Sequence, residues 1–158
     1  MPHETSRNPR PKVLAVASGG GHWVQLMRLG PAFDECEVTY VTVQRTSRAD
    51  VPNAHGFHVV PDATRWDRVR LVKMAIKLLW IVMRCRPDVV VSTGAAPGYF
   101  ALRFGKWVGA RTMWIDSIAN AEELSMSAVR IGPHATAVVS QWPDVAEAAG
   151  VEHHGAVL

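Results

Sequence analysis

Three segments of this chain carry residue types suited to binding an anion and moving a proton. Ser18-Gly19-Gly20-Gly21-His22 joins an apolar run to a helical pattern. Glycines permit a tight turn with positive φ and a close approach of backbone to ligand. The helix that follows offers unpaired N–H groups and a partial positive charge, which suit a phosphate or carboxylate. A plain strand-to-helix turn needs one glycine, so Gly19, Gly20 and Gly21 together are expected to bind something. His22 comes next, an imidazole able to transfer a proton near neutral pH and equally able to cap or brace a loop.

Ser92-Thr93-Gly94-Ala95-Ala96-Pro97-Gly98-Tyr99 repeats the arrangement of small residues before a helix start. Helix capping explains the hydroxyls of Ser92 and Thr93 but not both glycines. Asp116-Ser117-Ile118-Ala119-Asn120-Ala121-Glu122 places short polar side chains after a buried run. Such side chains hydrogen-bond sugar or amide groups, and taken alone they more often form an Asx-type turn.

Several chemistries fail on spacing. From Gly19 the glycine pattern reads GxGxxV, because position 24 is Val, and no acid for a ribose follows the second strand. An NADP site using Arg45 and Arg48 is disfavoured for the same reason. No Gly-Lys-Ser/Thr follows the glycines, so a P-loop is excluded. Cys36 and Cys85 have no ligand spacing, which argues against a disulfide framework or a zinc knuckle and fits a reducing compartment. The formal charge of +3 is too mild to indicate a nucleic-acid partner, and none is expected.

These segments must be held by a scaffold. The 158 residues make one domain, with 48% hydrophobic and 20% charged residues, as in ordinary globular chains. Met1 to Pro11 reads as a flexible polar tail, leaving 12–158 as a single domain. It contains neither an apolar signal core nor a membrane span. Short apolar runs predict strands at Val13–Ala17, Val38–Val43, Phe57–Val60, Asp88–Ser92, Arg111–Asp116 and Ala135–Ser140. Helical patterns follow His22 and cover Trp66–Arg84, Pro97–Val108 and Pro143–Ala149, and 154–158 reads as one more short strand. Apolar strands alternating with helices predict an α/β domain with a doubly wound parallel sheet covered on both faces. Ligands then bind beyond the carboxyl ends of the strands, where the three segments lie.

The long helix has two apolar stripes. Val69, Val72, Ile76, Leu79 and Met83 read as core. Leu71, Met74, Leu78, Ile81 and Cys85 form a second stripe, beside Arg70, Lys73, Lys77 and Arg84. A helix lying on a sheet needs one apolar stripe, so Leu71, Met74 and Leu78 with the basic row are expected to meet an anionic membrane surface or a partner.

Lys12 to His22 resembles the opening strand and glycine loop of GT-B glycosyltransferases of the MurG type. Trp114 to Ser125, continuing to Val139-Ser140-Gln141-Trp142-Pro143, is more specific. It resembles the membrane-recruiting subunit of the two-subunit N-acetylglucosaminyltransferase that extends chitobiosyl lipid, and its bacterial relatives in capsule and exopolysaccharide synthesis. The resemblance implies a Rossmann-like N-terminal half of a GT-B enzyme, with the donor half on a separate subunit. It implies transfer from a UDP-sugar to a polyprenyl-pyrophosphate-linked saccharide, without metal or other cofactor, peripherally at the cytoplasmic face of the membrane.

The resemblance also assigns roles. Gly19, Gly20 and Gly21 would receive pyrophosphate or the edge of the donor. His22 would be the base for the acceptor hydroxyl. Asp116 would be catalytic together with His22, in a polar loop beside the reacting centre where Ser117 and Asn120 would bind substrate, and Thr93, Gly94 and Gly98 would form the second substrate loop. Gln25 stands where many relatives carry an acid. A non-catalytic subunit that recruits or activates a donor-binding chain is the alternative.

Overall fold

The computed structural model describes residues 9–157. The tail expected at 1–11 therefore lies, for residues 1–8, outside the described residues, as does Leu158. Six parallel strands form one sheet: β1 (Lys12–Ala17), β2 (Glu37–Thr42), β3 (Gly56–Val59), β4 (Val89–Gly94), β5 (Arg111–Ile115) and β6 (Ala137–Val139). Their order is β3-β2-β1-β4-β5-β6. The order reverses between β1 and β4, and that switch point is where doubly wound sheets open a crevice. The expected doubly wound fold class is the observed one.

The helices are α1 (Gly21–Arg28), α2 (Arg68–Cys85), α3 (Ala95–Trp107), α4 (Met126–Ile131) and α5 (Pro143–Ala149). Alternation along the strands splits the core in two. Leu14, Val16, Val90 and Trp114 face α2, α3 and α4, where they meet Met74, Leu78, Leu102 and Ile131. Val13, Ala15, Ala17 and Val91 face the other way, onto Trp23 and Leu26 of α1 and onto Phe33.

Asp67 starts α2 by accepting a hydrogen bond from the Arg70 backbone N–H at 3.0 Å. Arg86, at φ 44°, ends it before Pro87. The two faces of α2 are the reverse of those expected. Met74, Leu78, Ile81 and Val82 are fully buried, whereas Val69 is 65% and Ile76 64% exposed, with Val72, Trp80 and Met83 also open to solvent. Both stripes are apolar, so periodicity could not choose between them; contact with α3 and the sheet does. Arg70, Lys73, Lys77 and Arg84 are exposed as expected, but they border the Val69–Ile76–Met83 stripe. Beneath them His58 meets Trp80 edge-on at 6.2 Å. Burial, and then the Lys77 charge, pushes the His58 imidazole below its usual value.

The terminal segment corrects another expectation. Residues 153–157 form no strand. The added pairing is a single parallel bridge between Glu152 and Val139. The Val157 N–H instead donates to Gln141 Oε1 at 2.7 Å.

Candidate functional site

β1 and β4 are neighbours, so the loops leaving them meet at the carboxyl rim. Gly20 caps α1 at φ 63° and ψ −137°, a conformation only glycine adopts without strain. His22 follows two residues later. Its Nδ1 lies 2.9 Å from the Thr93 carbonyl oxygen. That oxygen can only accept, so Nδ1 carries the proton and Nε2 is left as the basic nitrogen. Thr93 Oγ1 returns a hydrogen bond to the His22 carbonyl at 2.6 Å. Together the two bonds lock the imidazole across the switch point.

Gly94 makes that position possible. At φ 143° it ends β4, and a Cβ there would overlap the His22 ring. Ala95 follows at φ 68°, a left-handed conformation costly for a residue with a side chain. Backbone strain of this kind gathers at functional sites.

The opposite wall is the loop after β5, organised by Asp116. This carboxylate is 2% exposed. Its Oδ1 accepts from Trp114 Nε1 at 3.1 Å and from Ser125 Oγ at 2.6 Å. Its Oδ2 accepts from Asn120 Nδ2 at 3.1 Å and from the Ser125 N–H at 2.8 Å. Four donors occupy both oxygens, so the group fits a positioning role better than that of a free base. Ser125 in turn caps α4, accepting from the Ala128 N–H at 3.0 Å.

A buried amide network ties this loop to the rest of the rim. Gln25 on α1 donates to Ser117 Oγ at 3.2 Å and accepts from the Ile118 N–H at 3.2 Å. Gln141 Nε2 donates to Gln25 Oε1 at 2.6 Å and to the Asp116 carbonyl at 2.9 Å. Trp142 Nε1 donates to the Ile118 carbonyl at 2.7 Å. The Gln-Trp-Pro segment is thus a brace for the Asp116 loop. Gln25 and Gln141 were not expected as site residues; a buried amide leaves no periodic signature.

His22, Gly94, Asp116, Ser117 and Asn120 all line one cavity, closed at its far side by Ser125 and Ser127. Of the expected glycines, Gly20 and Gly21 are not among the lining residues and have open space where a Cβ would point. Gly19 backs onto the Gln44 side chain. Thr93 and Gly98 do not line the cavity. Thr93 is fully buried and acts through His22. Gly98 lies under the site, where a Cβ would collide with Ser92 and approach Trp114 at 3.3 Å. Gly98→Ala is therefore expected to cost about 1–3 kcal/mol of stability by overpacking, read as a lower urea midpoint with an unchanged slope.

No family model matches the chain. The UDP-N-acetylglucosamine transferase subunit ALG14 of Yarrowia lipolytica is 24% identical over 184 residues, which cover 96% of this chain and 83% of the relative. Among solved structures, Acinetobacter baumannii MurG matches with a TM-score of 0.71 at 12% identity, over 87% of this chain and 43% of that one. The UDP-N-acetylglucosamine 2-epimerase of Rickettsia bellii matches with a TM-score of 0.70 at 13% identity, over 93% of this chain and 45% of that one. A Methanocaldococcus jannaschii epimerase solved with UDP-GlcNAc and UDP gives 0.69 at 12%, over 91% and 46%. The chain thus spans less than half of each of these structures, and its likeness to them is one of fold.

Proposed function

We propose that this chain is the acceptor-binding subunit of a glycosyltransferase. In this reading it moves a sugar from a UDP-sugar onto a saccharide carried by a polyprenyl diphosphate. A separate chain holds the donor. The observation that carries the reading is the locked His22 at the β1/β4 switch point, facing the Asp116 loop across one cavity. The name of the Yarrowia relative, a transferase subunit, supports both the sugar chemistry and the second chain.

The chemistry needs a base and an anion site. His22 Nε2 takes the proton of the acceptor hydroxyl while that oxygen bonds to C1 of the donor sugar. The bond from C1 to the UDP oxygen breaks, and its electron pair leaves with UDP. The N-termini of α1 and α3 face this rim and stabilise phosphate charge. Asn120 and Ser117 orient the saccharide, and Asp116 holds their loop. The test offers the two substrates separately. A lipid-linked acceptor is expected to bind the chain alone and to bind Asn120→Ala more weakly. UDP-GlcNAc is expected to bind only when the donor-holding chain is added. Tight binding of UDP-GlcNAc by this chain alone would reverse the assignment.

Among the described residues no helix is long and apolar enough to cross a membrane. The exposed Val69–Ile76–Met83 stripe, bordered by Lys73 and Lys77, supports peripheral docking on an anionic leaflet, for which the cytoplasmic face is suited. Each cation near such a surface contributes about 1 kcal/mol. Lys73→Glu/Lys77→Glu is therefore expected to weaken binding to phosphatidylglycerol-containing vesicles by at least about tenfold, without changing binding to phosphatidylcholine alone. Equal sedimentation of both proteins would remove the membrane from the reading. A purely recruiting subunit is the second reading, favoured by this same exposed face, and under it His22→Ala is harmless.

A further inference from the structure

A second groove opens on the carboxyl rim between α2, α3 and α4. Its cavity volume is about 430 Å³. Its walls are Leu71 from the first turn of α2, Tyr99 and Phe100 from α3, and Met126 from α4. Arg65 and Arg130 also line it, and the lining contains no carboxylate. Neither guanidinium is paired with an acid among the described residues. Arg65 lies 4.7 Å over the ring of Trp66, which is itself 80% exposed.

The groove adjoins the His22 cavity. Ser127 lines both, and the adjacent residues Ala95 and Ala96 line one each. Leu71 lines it from the N-terminal half of α2, which also carries the exposed Val69 and Val72. Two cations over an apolar floor match an anionic head on a hydrocarbon chain better than either a sugar or a free anion.

We propose that this groove binds the prenyl diphosphate portion of the acceptor. Arg65 and Arg130 hold the diphosphate, and Leu71, Tyr99, Phe100 and Met126 receive the first isoprene units. The proposal rests on the acceptor reading above and adds a route to it: saccharide against His22, diphosphate past Ser127, chain toward the exposed face of α2.

The test is calorimetric titration of the whole chain with farnesyl diphosphate below its micelle-forming concentration, with farnesol and inorganic diphosphate as the two halves of the ligand. Farnesyl diphosphate is expected to bind at least about tenfold more tightly than either half. Arg65→Ala/Arg130→Ala is expected to lose at least about tenfold of that affinity. Met126→Ser, at an exposed position, is expected to weaken farnesyl diphosphate but not inorganic diphosphate. Lys73→Glu/Lys77→Glu is expected to leave farnesyl diphosphate affinity unchanged, which separates this groove from a phospholipid headgroup site on α2. Circular dichroism confirms that each variant is folded.

Three results would overturn the groove: no binding of farnesyl diphosphate, equal binding of inorganic diphosphate, or full affinity in the double arginine variant. Sugar transfer to a lipid-linked acceptor would still be observed if only the groove were wrong. Tight farnesyl diphosphate binding without any transfer would instead keep the groove and remove the transferase reading.

Discussion

Replacing His22 with alanine is expected to slow sugar transfer by about 10²–10⁴-fold, the usual contribution of a positioned general base. The chain should stay folded and keep its acceptor. The argument rests on the tautomer. The Thr93 carbonyl oxygen, 2.9 Å from Nδ1, accepts a hydrogen bond from it, so Nε2 faces the reaction as an acceptor. Gly94→Ala probes the same position without touching the imidazole chemistry. Its new Cβ would overlap the His22 ring, so the ring must leave its bond to Thr93. Small misplacements of a reacting group cost on the order of 10²-fold, and a loss of about that size in kcat is expected. Both variants are measured as initial rates with the donor-holding chain present. Wild-type rates in His22→Ala would leave recruitment as the function.

The second large effect is on stability. Asp116→Asn is expected to lower the unfolding free energy by roughly 2–4 kcal/mol. Four donors converge on the two carboxylate oxygens. An amide offers one oxygen, so its NH₂ group must face two of those donors. Buried donors left unpaired cost about 1–3 kcal/mol each. The loss should appear as a lower urea midpoint, together with faster hydrogen exchange from Ser117 to Ser125. A variant as stable as the parent would mean that the loop does not depend on this carboxylate. For transfer, a positioning role predicts a reduced rate with an unchanged pH profile. A shifted profile would make Asp116 part of the proton chemistry.

Much of this was legible in the residues because each piece is local. The apolar run Val13–Ala17 before three glycines could be little else than a buried strand feeding a helix start. The Ser92–Gly98 segment repeats the same pattern, and the fold brings both to one switch point. What failed was global. The two apolar faces of α2 look alike until α3 is in place, so the buried and open faces were exchanged. The six-residue α4 is too short for a periodic signal, although Ser125 caps it. Thr93 and Gly98 carry the right chemistry for a substrate loop, yet they sit beneath it; only depth, which spacing does not encode, separates them from Gly94. Gln25 stood out as a departure from an expected acid. Its actual work, joining α1 to Ser117 and Gln141, needs partners 92 and 116 residues away.

The most direct measurement is transfer of labelled GlcNAc from UDP-GlcNAc to a prenyl-diphosphate-linked saccharide by this chain, by a donor-holding companion, and by the two mixed. Product from the mixture alone, lost on adding His22→Ala in place of the parent, is the expected result. Product from the companion alone at the same rate, or from the mixture regardless of residue 22, would contradict the assignment of this rim as the acceptor wall of a shared cleft.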